Sequence, residues 1–167
     1  MFEIKYKINE EKLAEKKEKK LKISLLDFSG GLYFFDKDYL CKTITTGKPI
    51  SFGHWLLYDI WSLTQAYLEY PKNTNKLYGI GDDVGCFKLI KDGNYLFFVF
   101  LDKVKKKEYL RLRIKENEFL IALINLSENL LKIVDRWPGL SDDDIVKTIK
   151  ERLIVLKRKR DSAGDMS

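Results

Sequence analysis

Apolar residues alternate with charged ones at the start of the chain. Phe2, Ile4, Tyr6 and Ile8 interleave with Glu3, Lys5 and Lys7, which is the period of a half-buried strand. Residues 9–20 (NEEKLAEKKEKK) are almost devoid of apolar positions and read as a solvated helical turn or a flexible connection. Two β-rich runs, 22–28 (KISLLDF) and 31–36 (GLYFFD), flank Ser29-Gly30 and predict a hairpin. Residues 42–51 read as extended or loop, with Pro49 biasing its predecessor away from helix. The pattern then changes period. Phe52, Leu56, Ile60, Leu63 and Tyr67 form a helical stripe, widened by Leu57, Trp61 and Leu68, so 52–70 is predicted as a core helix with Ser51 as its N-cap.

After the loop 79–85 (GIGDDVG), a meander is predicted: strands 86–91, 95–101 and 109–115, with Asp92-Gly93 as the first turn and the lysine-rich 103–107 as the second. Asn117 is the expected cap of a helix over 118–135, whose stripe is Phe119, Leu123, Leu126, Leu130 and Val134. Trp137-Pro138-Gly139 breaks it. Ser141 with Asp144 has the spacing of a capping box for a last helix, 142–157, with Ile145, Ile149, Leu153 and Leu156 as its stripe. These elements make one α+β domain over 1–158: a mainly antiparallel sheet built from hairpins, packed with one core helix and two C-terminal helices. Residues 159–167 read as a frayed basic and polar tail.

The strand Tyr95–Leu101 (YLFFVFL) stands out because it is apolar on both faces. Leu96, Phe98 and Phe100 point one way, and Tyr95, Phe97, Val99 and Leu101 the other. With Asp92-Gly93 as a two-residue turn, Leu89 would face Leu96 and Phe87 would face Phe98, on a side joined by Leu110, Leu112 and Ile114. The other side then gathers Lys88, Tyr95, Phe97, Tyr109, Arg111 and Arg113, mixing rings with cations.

Composition narrows the chemistry. The chain has 167 residues, 45% of them hydrophobic, which is ample for a core. The net charge of +6 comes from 31 basic against 25 acidic residues, so the surface is mixed and only mildly suggests an acidic partner. The first residues lack a secretory signal's apolar core, and no stretch reaches the length of a membrane span. A soluble, cytoplasmic protein is therefore expected.

Catalytic signatures are missing from the pattern. His54 is the single histidine, so a histidine-based metal site has no partners, and on the predicted helix Asp59 does not share its face. Cys41 and Cys86 make neither a disulfide framework nor a metal site. GIGDDVG precedes a strand instead of opening a helix after one, so it fails as a dinucleotide fingerprint. TTGKP fails as a phosphate loop, because Lys42 stands where the first glycine belongs. Asp82 and Asp83 sit in a glycine-rich loop where they could hold a hard cation, although most such pairs are turn residues, and Asp142–Asp144 suit a helix N-terminus. No cofactor or metal is expected, and a small enzyme using carboxylates alone is the third reading, behind the two binding readings.

Two uses of the aromatic and cationic face follow. As a single-strand nucleic-acid platform, Tyr95, Phe97 and Tyr109 would stack bases while Lys88, Arg111 and Arg113 meet phosphates. As a protein-binding surface, the same residue types suit an acidic partner, since tyrosine and arginine dominate interface hot spots. The alternative is that helix 142–157 or the first hairpin simply covers the face.

The order of parts from about residue 22 to 115 resembles the small immunity proteins encoded beside bacterial polymorphic or contact-dependent toxins. The resemblance lies in the hairpin KISLLDFSGGLYFF, the aromatic-rich PISFGHWLLYDIWSLTQAYL and the second hairpin VGCFKLIKDGNYLFFVFLD. It implies a cytosolic, non-enzymatic α+β protein that acts by occluding a toxin. Immunity proteins against nucleases are often acidic, and the positive charge here departs from that pattern. A toxin of another activity, or one with an acidic face, fits better.

Overall fold

A computed structural model describes residues 1–37, 39–41, 51–52, 55–73, 75–80, 85–105, 107–137 and 139–164. The α+β class holds: helices and two four-stranded, wholly antiparallel sheets share one apolar core. His54, Asp82 and Asp83 lie outside the described residues, as do 42–50 and 165–167.

The first sheet is built from β1 (Phe2–Ile8), β2 (Gly30–Asp36), β3 (Tyr39–Leu40) and β4 (Ser51–Phe52). β2 lies between β1 on one side and the short β3 and β4 on the other. The expected hairpin of 22–28 with 31–36 does not form. β2 pairs instead with β1, Phe2 opposite Asp36 and Ile8 opposite Gly30. Residues 25–27 are a 3₁₀ turn closed by a capping box, in which Asp27 accepts from the Ser24 backbone N–H at 2.8 Å. Lys16 and Lys12 bind the same carboxylate at 2.8 and 3.3 Å, so local polar chemistry overrides the β-rich composition. Gly30 is required where it stands, because a Cβ there would lie 1.9 Å from the Lys7 carbonyl oxygen.

Between β1 and β2 runs α1 (Glu10–Glu18), a true helix with Asn9 as its cap and Leu13 as its buried anchor. α2 (Leu56–Glu69) begins later than expected, and Ser51 belongs to β4 and is not its cap. The first N–H of α2 is satisfied by the Phe28 carbonyl at 3.0 Å. Of its predicted stripe, Leu56, Leu57, Ile60, Leu63 and Tyr67 are in the core, Trp61 and Leu68 are partly buried against it, and Phe52 belongs to β4.

The second sheet is the meander β5 (Tyr78–Ile80), β6 (Gly85–Asp92), β7 (Tyr95–Asp102) and β8 (Glu108–Lys115). β5 adds a strand within what the sequence suggested as loop. The turn is Gly93-Asn94, with Gly93 at φ +58, so Asp92 faces Tyr95. Leu89 consequently faces Phe98 and Phe87 faces Phe100, a slide of two residues that leaves each side chain on its expected face.

β8 passes into α3 (Glu116–Val134) without a loop. Asn117 does not cap it: Lys115 holds that position with no side-chain bond, and the Glu116 N–H reaches back to the Asn94 carbonyl at 3.0 Å. The last helix, α4 (Asp144–Gly164), starts two residues late and runs on through most of the expected tail. Ser141 donates to Asp135 at 3.2 Å instead of capping α4, and Asp143 accepts from the Ile145 N–H at 2.9 Å.

Phe98 sits at the junction of the layers. Its ring lies 5.0 Å from Phe87, 5.1 Å from Phe34 of the first sheet and 6.4 Å from Phe119 of α3. α3 packs on β1 and β8, while α4 docks against α2 and α3. Arg152 of α4 locks that contact, donating to the Trp61 carbonyl at 2.6 Å with its guanidinium 5.1 Å from a Trp61 ring. No helix among the described residues is long and apolar enough to cross a membrane.

Candidate functional site

Three ladder rows make the outer face of the second sheet: Lys88–Val99–Arg111, Ile90–Phe97–Arg113 and Asp92–Tyr95–Lys115. Five of the six candidate residues, Lys88, Tyr95, Phe97, Arg111 and Arg113, are therefore brought together by register alone. Val99 at the centre is fully buried, Tyr95 and Phe97 are half-buried, and both arginines are exposed. Helix α4, one of the two elements that could have covered this face, packs against α2 and α3.

The sixth candidate, Tyr109, is placed differently. A bulge between Phe100 and Leu101 sets Glu108 opposite Leu101, where simple alternation would have put Tyr109. The Tyr109 ring lies 6.0 Å from Phe100, and its hydroxyl donates to Asp102 Oδ2 at 3.0 Å. Asp102 also accepts the backbone N–H groups of Val104 and Lys105, which folds the lysine-rich turn. The Lys105 bond, followed by that of Tyr109, holds the Asp102 carboxyl below its ordinary range. Tyr109 thus braces a turn and leaves the face to Glu108.

That exchange alters the electrostatics. Arg111 makes a bidentate pair with Glu108, at 2.8 and 2.9 Å, and its guanidinium lies 5.6 Å from the Phe97 centroid. Arg113 lies 3.7 Å from the Tyr95 centroid and 3.6 Å from Asp92. The rings carry guanidinium groups across them, and the cations have carboxylates beside them. The face is amphipathic, with the four cations Lys88, Arg111, Arg113 and Lys115 set among the carboxylates of Asp92 and Glu108, and is not a bare cationic platform.

A second cluster, which the sequence did not flag, adjoins the face. Glu116 accepts from Tyr70 and, at 3.5 Å, from Tyr67, and it pairs with Lys91 at 3.1 Å. Burial alone would raise the Glu116 carboxyl, but the bonds from Tyr70 and Lys91 outweigh it and hold it low. Burial and the neighbouring carboxylate push both phenols up, so they stay protonated donors. Glu116 borders a cleft of about 690 Å³ shared with Tyr95, Lys115 and Lys159. Only the junction of strand and helix makes Glu116 a hub, and no sequence motif marks such a junction.

Among the described residues no group of three His, Cys, Asp or Glu is placed to hold a metal. Cys86 is buried, Cys41 is half-buried with its thiol pushed up by burial, and the two form no disulfide. What the face offers is aromatic area flanked by oriented donors and acceptors. No protein-family model, curated protein or solved structure matches the chain.

Proposed function

We propose that this is a non-enzymatic cytoplasmic binding protein, which uses the outer face of β6–β8 to occlude a protein partner in the manner of a toxin-immunity or inhibitor protein. One observation carries the reading: Tyr95 and Phe97 remain half-exposed beneath Arg113 and Arg111, while the last helix docks on α2 and α3. Aromatic rings with arginine across them are the composition of interface hot spots. Nucleic acid is disfavoured as the partner because the Phe97 and Tyr95 rings on which bases would stack already carry the Arg111 and Arg113 guanidinium groups across them.

The test uses the purified protein as bait in extracts of its native host. A single protein should be retained in stoichiometric amount, and Phe97→Ala combined with Arg111→Glu should release it. Retention of nucleic acid, with affinity falling steeply in salt, would show the reading to be wrong, as would retention of nothing.

A further inference from the structure

Beside the outer face runs a groove of about 360 Å³, and its shape singles out the edge of the sheet. One wall consists of the five consecutive residues Arg111–Lys115, and the other of the end of the first sheet near Phe2, Asp36 and Lys37. A sheet face presents alternate residues, so a wall of consecutive ones means that the groove follows the strand's edge. Among the described residues β8 pairs with β7 alone.

The ladder tells which backbone groups this edge leaves open. The Glu116 N–H donates to the Asn94 carbonyl at 3.0 Å while Tyr95 sits opposite Lys115, so Tyr95–Lys115 is a non-hydrogen-bonded pair. Bonded and non-bonded pairs alternate. Leu96–Ile114 and Phe98–Leu112 are therefore bonded pairs, and Phe97–Arg113 and Val99–Arg111 are not. The N–H and C=O groups of Arg111 and Arg113 consequently point away from β7, into the groove. Arg111 and Arg113 thus combine an open backbone with a charged side chain.

We infer that this edge accepts an extended, acidic segment of a partner protein as an added antiparallel or parallel strand. Strand addition supplies affinity through main-chain bonds, and alternate side chains supply selectivity. The groove holds Lys37, Arg111, Arg113 and Lys115 against Asp36 and Glu118, an excess of positive charge. Arg113 keeps donors available, since Asp92 stands 3.6 Å away and both side chains are more than half exposed. A second copy of this chain is a poor occupant, because antiparallel pairing of β8 with itself would oppose arginine to arginine. The inference rests on the reading of this region as a protein-binding surface.

A nine-residue blocked peptide alternating glutamate and threonine is the probe. In amide hydrogen exchange followed by NMR, saturation should slow exchange at Arg111 and Arg113 by about tenfold or more, with little change at Leu112 and Ile114, already bonded to β7. A lysine–threonine peptide should not do so. Failure of the acidic peptide to bind overturns the inference, as does binding that moves only Tyr95 and Phe97 resonances. Slowing that appears without peptide and grows with protein concentration overturns it in favour of a second copy. Arg113→Pro removes an outward N–H and leaves the β7 ladder whole, whereas Arg113→Ala removes only the side chain. Peptide affinity should fall by a further tenfold or so in Arg113→Pro, and equal losses count against strand addition. Should Arg113→Pro not fold, the exchange measurement on the unaltered protein decides alone. If the native partner is retained equally by both variants, strand addition fails while the protein-binding reading stands; if the unaltered protein retains no protein partner, that reading itself fails.

Discussion

Phe97 and Phe98 are neighbours in the chain with opposite duties, and truncating each to alanine separates them. Phe98 is fully buried and its ring meets rings of β2, β6 and α3 within 6.4 Å. Removing such a side chain costs about 4 kcal/mol, the sum of lost transfer energy and the cavity left behind. For a chain of this size that corresponds to a fall in Tm of roughly 8–16 °C. Phe97 is half-buried and its one ring–cation contact, to Arg111, is at 5.6 Å. Its loss should cost about 1 kcal/mol, or roughly 2–4 °C. Urea denaturation followed by tryptophan fluorescence and by far-UV circular dichroism measures both, with an unchanged m-value as the check that unfolding stays two-state. Partner retention should move the other way, lost in Phe97→Ala and kept in whatever fraction of Phe98→Ala is folded. Equal destabilisation of the two variants, or a larger loss for Phe97→Ala, would refute the division of the strand into a core face and a working face.

Two further outcomes follow from polar contacts. Burial pushes the Asp27 carboxyl up, but the bonds from Lys16, Ser24 and Lys12 outweigh it and hold it well below the usual range. A depressed native value contributes stability above the unfolded pKa near 4, and that stability is lost as pH falls from there through the native value. Asp27→Asn should therefore cost about 2 kcal/mol at pH 7, with the gap from the unaltered protein closing below pH 4 in denaturant titrations; a gap independent of pH would contradict this. Arg152→Ala should cost about 1–2 kcal/mol by stripping the Trp61 carbonyl and ring of their α4 partner, and it should alter tryptophan fluorescence, while Arg152→Lys recovers only part of the loss. Unchanged fluorescence in Arg152→Ala would place that contact outside the native ensemble.

Regular periodicity made much of this architecture legible. The alternation of Phe2, Ile4, Tyr6 and Ile8, the turn near Gly93 and the stripe from Phe119 to Val134 all correspond to observed elements. The parts that resisted depend on groups distant in sequence or on single-residue irregularities. KISLLDF has the composition of a strand, yet Ser24 and Asp27 carry a capping signature, and lysines from α1 complete it. β1 finds β2 across an intervening helix, a pairing no local pattern announces. The bulge that exchanged Tyr109 for Glu108 changes neither composition nor alternation downstream, so five members of the candidate face were readable and the sixth was not. The starts of α2 and α3 were misassigned for a shared reason: backbone carbonyls of Phe28 and Asn94 do the work that side-chain caps were expected to do.

The passage of β8 into α3 without a loop bears on the order in which the molecule assembles. β6, β7, β8 and α3 come from one stretch of chain, Gly85–Val134, joined by short turns, so their contacts close small loops at little entropic cost. β1 and β2 must instead be brought to α3 across most of the sequence, as the bond from the Phe2 N–H to Glu118 illustrates. The meander with its helix should therefore form early, presenting Phe98 and Phe119 as the surface on which the N-terminal strands later settle. Truncation at Phe98 should then slow folding, while truncation at Phe2 should chiefly speed unfolding.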